Sequence, residues 1–199
     1  TRAHPGQTDV VVTAKAATVE EALALIAPVE AEIRRRVGSF VFGIDEETMG
    51  QVVLRELDAR GLRLAVAETL TRGEVAQQLA QQPQSSAFAG GLLLADAASL
   101  LALAEGQGEA LAWPSQEAAN LAARQVARVY GAQLGLAIVG PDDPSLPDAP
   151  PAYVALAVGD RLLTPAPRRA RSGAVGRSWL LYQGLDMVRR DLLGLEQVG

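Results

Sequence analysis

The 199-residue sequence contains no cysteine, which removes disulfides, thiol catalysis and cysteine metal sites from consideration. His4 is its only histidine and Lys15 its only lysine; all other basic charge is arginine. Arginine stays protonated and is a poor general base. A mechanism that needs His or Lys must therefore draw on the first fifteen residues. No apolar run approaches the ~18 residues of a membrane span, and no signal peptide precedes the first predicted strand. The expected location is the cytoplasm, with no membrane partner. There is no internal repeat, no Walker loop and no Gly-x-Gly-x-x-Gly. A net charge of −5 argues against a nucleic-acid backbone as the main partner.

What the sequence does hold is centred on Leu62 to Ala80. Leu64-Ala65-Val66-Ala67 is a short apolar run of buried-strand type. From Thr71 the period becomes helical, with Val75 and Leu79 four apart. Thr71 and Glu74 stand in Thr-x-x-Glu spacing, which predicts a capping box. The reading is strand, turn, helix, with Glu68-Thr69-Leu70-Thr71-Arg72-Gly73 as the turn. Free amides at a helix start, with the Arg72 charge beside them, suit a phosphate or carboxylate. The plainer reading is a structural cap that binds nothing.

Elsewhere the chain alternates short apolar runs with helical patterns. Asp9 to Thr13 reads as a strand. Thr18 caps a helix to about Val37 with Val19, Leu23, Ile26, Val29 and Ile33 as its apolar stripe; Pro28 should kink or interrupt it. Arg34-Arg35-Arg36 suit its last turn, and Phe40-Val41-Phe42 reads as a second strand. Asp45-Glu46-Glu47 open a helix to about Arg60. Further strands are predicted at Phe88 to Leu94, Leu134 to Val139, Tyr153 to Val158 and Arg161 to about Pro165. Helices are predicted behind Asp96, behind Ser115 to Tyr130, and from about Ala174 to Leu193. Asp142, Asp143 and Asp148 lie in a proline-rich loop. Without His, Asn or Glu at ligand spacing they read as a solvated loop, and no metal or cofactor is expected.

Ala67-Glu68-Thr69-Leu70-Thr71-Arg72-Gly73 resembles the active-site turn of the CinA C-terminal domain. That family includes bacterial nicotinamide-mononucleotide deamidases and the competence/damage-inducible proteins. The resemblance extends through Asp9 to Gly43, Ser85 to Gly91, the Pro114-Ser115-Gln116-Glu117 helix start, Leu136 to Gly140, and Arg177. It implies a three-layer α/β/α domain with a mixed, about five-stranded sheet over residues 45–199. Residues 1–44 would form a small β-α-β unit resembling the family's KH-like linker. No Gly-x-x-Gly loop of the RNA-binding KH type lies between its elements. The resemblance implies a longer linker than the residues upstream of Thr8 provide, and nothing in this sequence matches the molybdopterin-binding-like N-terminal domain of longer members. A homodimer and a nicotinamide-mononucleotide-like ligand are implied.

Ligand contacts would come from Glu68, Thr69, Thr71, Arg72, Gly73, Gly90, Gly91 and Gly140, the glycines allowing close backbone approach. The resemblance also implies chemistry that these residues do not carry. Deamidases of the family are understood to use a serine in the turn and a tyrosine and lysine after the Gly-Gly strand. Those positions are Thr69, Ala95 and Leu100. Thr69 keeps a hydroxyl and remains the only catalytic candidate; the other two cannot move a proton. Two hypotheses follow: a degenerate domain serving as a nucleotide-binding, regulatory or dimerisation module, and an active amidohydrolase using Thr69 with water and Glu68. A structural remnant that binds nothing is the third option.

Overall fold

The computed structural model describes residues 1–82, 84–104, 111–169 and 171–197. Its elements are β1 (Arg2–His4), β2 (Gln7–Asp9), α1 (Val19–Val37), a 3-10 turn (Gly38–Phe40), α2 (Met49–Asp58), β3 (Leu64–Glu68), α3 (Glu74–Ala80) and β4 (Phe88–Leu93). After these come α4 (Ala97–Leu103), α5 (Gln116–Tyr130), β5 (Leu134–Val139), β6 (Tyr153–Val158), β7 (Arg161–Leu163) and α6 (Gly173–Leu192).

Five strands form one mixed sheet in the order β4-β3-β5-β6-β7. β3 pairs parallel with both β4 and β5, and β6 and β7 continue antiparallel. Alternation along the strands sends two different kinds of side chain to the two faces. Leu64, Val66, Leu134, Leu136, Ile138, Val154 and Leu156 pack with α2, α3 and α6. Ala65, Ala67, Ala137, Ala155 and Ala157 meet α4 and α5. The alanine face lets α5 lie very close, also through small residues: Ala118, Ala119, Ala122 and Ala123 are all buried. At Gly135 a Cβ would stand 2.0 Å from the Ala123 carbonyl oxygen, so that contact requires glycine.

Helix starts largely follow local chemistry. Thr18, Asp96 and Ser115 each accept from the amide three residues on, at 3.2, 2.8 and 3.0 Å, as N-caps do. Gly131 closes α5 in the left-handed conformation. The start of α2 differs from expectation: Thr48, not the Asp45-Glu46-Glu47 run, caps it. Thr48 forms a full capping box with Gln51, while Glu47 is turned to Arg55 and to the Ile44 amide.

The N-terminal β-α-β arrangement is corrected. Residues 2–9 form a β1–β2 hairpin turning at Pro5-Gly6, with Gly6 at φ +84°. Only Asp9 of the predicted first strand is in a ladder, and Phe40-Val41-Phe42 is not a strand. A strand needs a partner for its main-chain groups, and the hairpin supplies one only to residues 7–9. α1 runs unbroken through Pro28, and none of its residues is buried. The first segment meets α6 of the larger domain at two places, its middle and its C-terminal end. A Cβ on Gly6 would stand 2.6 Å from the Tyr182 ring. Ser39 is held by Arg189 and Arg190, as described below.

Candidate functional site

β3 is buried along its whole length and delivers Glu68 and Thr69 to the carboxyl end of the sheet, where open α/β sheets place their ligands. The Thr69 amide donates to the Ile138 carbonyl at 3.0 Å, and the Leu94 amide to the Glu68 carbonyl at 2.9 Å. The Gly140 amide donates to the Thr69 hydroxyl oxygen at 2.9 Å. The hydroxyl in turn lies 3.4 Å from the Gly140 carbonyl oxygen, a long bond. Thr69 therefore straps the end of β3 to the end of β5. Gly140 belongs at this junction because a Cβ there would lie 2.8 Å from Leu70, itself buried.

Glu68 overturns the expectation of free amides. Its side chain is 1% exposed. Its carboxylate accepts from the amides of Gly73 and Val75, both at 3.1 Å, and of Ala76 at 2.8 Å. The start of α3 already holds an anion, the protein's own. A ligand phosphate there would meet a carboxylate that already takes the amides of Gly73, Val75 and Ala76. Glu68 is not bonded to the Thr69 hydroxyl either: three of its roughly four acceptor sites are taken by main-chain amides.

The Thr71–Glu74 capping box is absent for the same reason. Helix α3 begins only at Glu74, after Gly73 at φ +87°. The Thr71 hydroxyl oxygen is buried without a partner among the described residues, and the Thr71 carbonyl accepts from the Glu74 amide at 3.0 Å. The Glu74 side chain pairs with Arg177 of α6. Arg72 is exposed and sits at φ +54°, a left-handed conformation that favours glycine.

Gly90 and Gly91 also have a different role from the one expected. They pair with Ala65 and Val66, well back from the end of β3. A Cβ on Gly90 would lie 2.2 Å from the Tyr130 ring, and one on Gly91 would lie 2.9 Å from Ala76. These glycines admit α5 and α3 to the edge strand rather than a ligand to the site. Tyr130 also donates its hydroxyl to the Gly91 carbonyl at 3.0 Å. The structure thus groups Glu68, Thr69, Thr71, Arg72, Gly73 and Gly140, and separates Gly90 and Gly91 from them.

The proton-transfer positions are equally informative. Ala95 is exposed, whereas Leu100 is fully buried against α5. His4 is paired with Asp9 at 3.1 Å within the hairpin, and Lys15 is exposed between β2 and α1.

Beyond Gly140 a cavity of about 350 Å³ lies between Trp113-Pro114 and the loop from Pro141 to Pro150. Asp142, Asp143 and Asp148 line it. The Ser145 hydroxyl and amide bonds hold the Asp143 carboxyl below the ordinary aspartate range, so this wall stays negative and opposes a phosphate.

A cluster not foreseen in the sequence sits at the far end of α6. Arg189 and Arg190 are 2% and 3% exposed, and both bond Asp186, at 2.7 and 2.6 Å. Both also donate to the Ser39 carbonyl, at 2.7 and 3.1 Å, and Arg190 lies 4.9 Å from the Phe40 ring centre. The spacing of Asp186 to Arg189 and Arg190, three and four residues, was the available signal.

These features define an α/β domain with its candidate site in a strand–turn–helix at the carboxyl end of a parallel strand. The chain belongs to the CinA family: residues 46–168 match the CinA C-terminal domain, and residues 1–43 the damage-inducible protein CinA KH domain. A CinA-like protein of Frankia casuarinae is 36% identical over 201 residues, covering 97% of this chain and 46% of that protein. A putative competence-damage inducible protein of Symbiobacterium thermophilum is 38% identical over 154 residues, 74% of this chain and 36% of that protein. The chain thus spans less than half the length of these relatives. Among solved structures, a CinA superfamily protein from Klebsiella pneumoniae 700603 matches with TM-score 0.64 at 20% identity. It covers 74% of this chain and 99% of that one. Competence/damage inducible protein CihA from Agrobacterium tumefaciens matches with TM-score 0.65 at 21% identity, covering 77% and 98%. Both support the fold. Among the described residues no helix is long and apolar enough to cross a membrane.

Proposed function

We propose that this chain is a catalytically degenerate CinA-family domain, acting in the cytoplasm as a nucleotide-binding or regulatory module in the setting of pyridine nucleotide salvage. The observation that carries the reading is the hydrogen bonding of Thr69. Among the described residues its hydroxyl meets only the Gly140 main chain, and the adjacent carboxylate is spent on three amides. An alcohol attacks an amide only when a base takes its proton, and a positioned base is worth ~10²–10⁴ in rate. Nothing bonded to Thr69 supplies that step.

Any nucleotide would be engaged from outside the turn, with Arg72 as the cation rather than the amides of α3. The test is ammonia release from nicotinamide mononucleotide by the purified chain, with Thr69→Ala beside it and calorimetry on both. Background release with measurable nucleotide binding, weakened by Arg72→Ala, is expected. Turnover near the ~10 s⁻¹ typical of enzymes, abolished by Thr69→Ala, would establish an active amidohydrolase instead. No release and no binding would leave a structural remnant.

A further inference from the structure

The chain carries a net charge of −5, yet one stretch has the opposite sign. No acidic residue lies between Asp160 and Asp186, where Arg161, Arg168, Arg169, Arg171 and Arg177 fall. Arg161 and Arg177 are committed to Asp191 and Glu74. Arg168, Arg169 and Arg171 are exposed and stand four, three and one residues before Ser172. Ser172 is itself exposed, extended at φ −70° and ψ 159°, and holds the N-cap of α6. Thr18, Thr48, Asp96 and Ser115 each accept from the amide three residues on, but the Ser172 side chain makes no capping bond. The helix it precedes opens on Gly173 at φ +73°. A second glycine, Gly176, follows because a Cβ there would overlap the Arg171 carbonyl. Two glycines, poor helix formers, and an unused cap make this first turn weakly held.

We propose that Ser172 is a phosphorylation site for an arginine-directed serine kinase. Such a kinase reads guanidinium groups at fixed offsets before the hydroxyl through its own carboxylates, which hold arginine more strongly than neutral acceptors do. Arg169 donates to the Pro147 carbonyl at 3.3 Å, a neutral contact that a carboxylate displaces. The Ser172 Oγ attacks the γ-phosphorus of ATP bound to the kinase. The Oγ–P bond forms as the bond from phosphorus to the β,γ-bridging oxygen breaks, ADP leaves, and the hydroxyl proton passes to the kinase's aspartate base. The product carries a charge of about −1.5 to −2 at the start of α6, where an anion is stabilising. Its oxygens take the capping role that the hydroxyl leaves open. Arg177, in the next turn of α6, pairs with Glu74 at the start of α3, so a firmer α6 start is transmitted to the turn that carries Arg72. The inference rests on residues 168–177 and is independent of the chemistry at Thr69.

The experiment incubates the full chain with the catalytic subunit of a purified arginine-directed serine kinase and magnesium ATP, and maps the product by tandem mass spectrometry. A single phosphate on Ser172 is expected. Arg169→Ala should lower the kinase's kcat/KM for the chain about tenfold or more, the worth of one charge-assisted contact. Ser172→Ala should take up no phosphate while its urea midpoint stays unchanged, because the hydroxyl has no capping bond to lose. That midpoint separates loss of the acceptor from loss of the fold. In the phosphorylated chain the first-turn amides of α6 should exchange about two- to fivefold more slowly. The chain recovered from the cells that make it should carry the same phosphopeptide. Phosphate on a different hydroxyl, uptake that Arg169→Ala leaves unchanged, or an unmodified Ser172 in the chain from those cells would each overturn the proposal.

Discussion

An arginine at φ +54° in a tight turn carries a left-handed penalty of ~1–2 kcal/mol for an L-residue. Glycine would remove it at an entropic cost of ~0.5–1 kcal/mol. Arg72→Gly is therefore expected to be neutral or stabilising by up to ~1 kcal/mol, read from the urea midpoint, while nucleotide affinity falls. At Glu68 the balance runs the other way. Glu68→Gln keeps the shape but loses three charge-assisted bonds and presents an amide donor to amide donors. A loss of ~1–3 kcal/mol is expected, with a lower urea midpoint at unchanged slope. Glu68 also shows where the reading of Thr71 and Glu74 as a capping box failed. Thr-x-x-Glu is a local pattern, and it holds only if the helix starts right after the threonine. Here Gly73 turns left-handed and Glu68 reaches forward to the amides, so the cap comes from the preceding strand. The sequence names Glu68 but not the path that brings it back.

Among the elements, those fixed by neighbours in sequence were legible and those fixed by distant partners were not. Thr18, Asp96 and Ser115 cap because each reaches an amide three residues on. The Asp96 carboxyl is held below its ordinary value by the Ser99 amide and hydroxyl. A depressed carboxyl pKa contributes above the unfolded value and is lost as pH falls through the folded one. Amide exchange in α4 is expected to show a full cap at pH 5 and progressive loss below about pH 4. The predicted strand at Phe40 to Phe42 failed because its surroundings are a cation cluster rather than a sheet edge. In that cluster Asp186 is the carboxylate bonded to both Arg189 and Arg190. Asp186→Asn would leave two nearly buried cations facing carbonyls alone, and breaking such a pair costs ~3–5 kcal/mol. Arg190→Met removes one cation with its stem retained, and should cost less. Chemical denaturation of both variants checks the order.

Over the whole molecule stability is distributed unevenly, and the two α6 clips divide it. The five strands of the sheet were readable because buried strands announce themselves by period; the layers were implied by the family resemblance, and the order β4-β3-β5-β6-β7 came only with the structure. The way residues 1–43 lie against the rest was not, since it depends on Gly6 meeting Tyr182 and Ser39 meeting two arginines far along the chain. β3 and β5 are buried at every residue and paired on both sides, so their amides should exchange only on global unfolding. α1 buries nothing of its own, and most helical stability in proteins comes from tertiary packing of an amphipathic face. In dilute solution its amides should exchange orders of magnitude faster than those of β5. Asp186→Asn should speed exchange in residues 38–42 and α1 beyond what its global destabilisation explains, because the Ser39 anchor goes with it. Hydrogen exchange followed by mass spectrometry resolves the three segments in one experiment. Equal protection of α1 and β5 in dilute solution, or an Asp186→Asn effect spread evenly over the chain, would show that the first segment is held by more than its two ends.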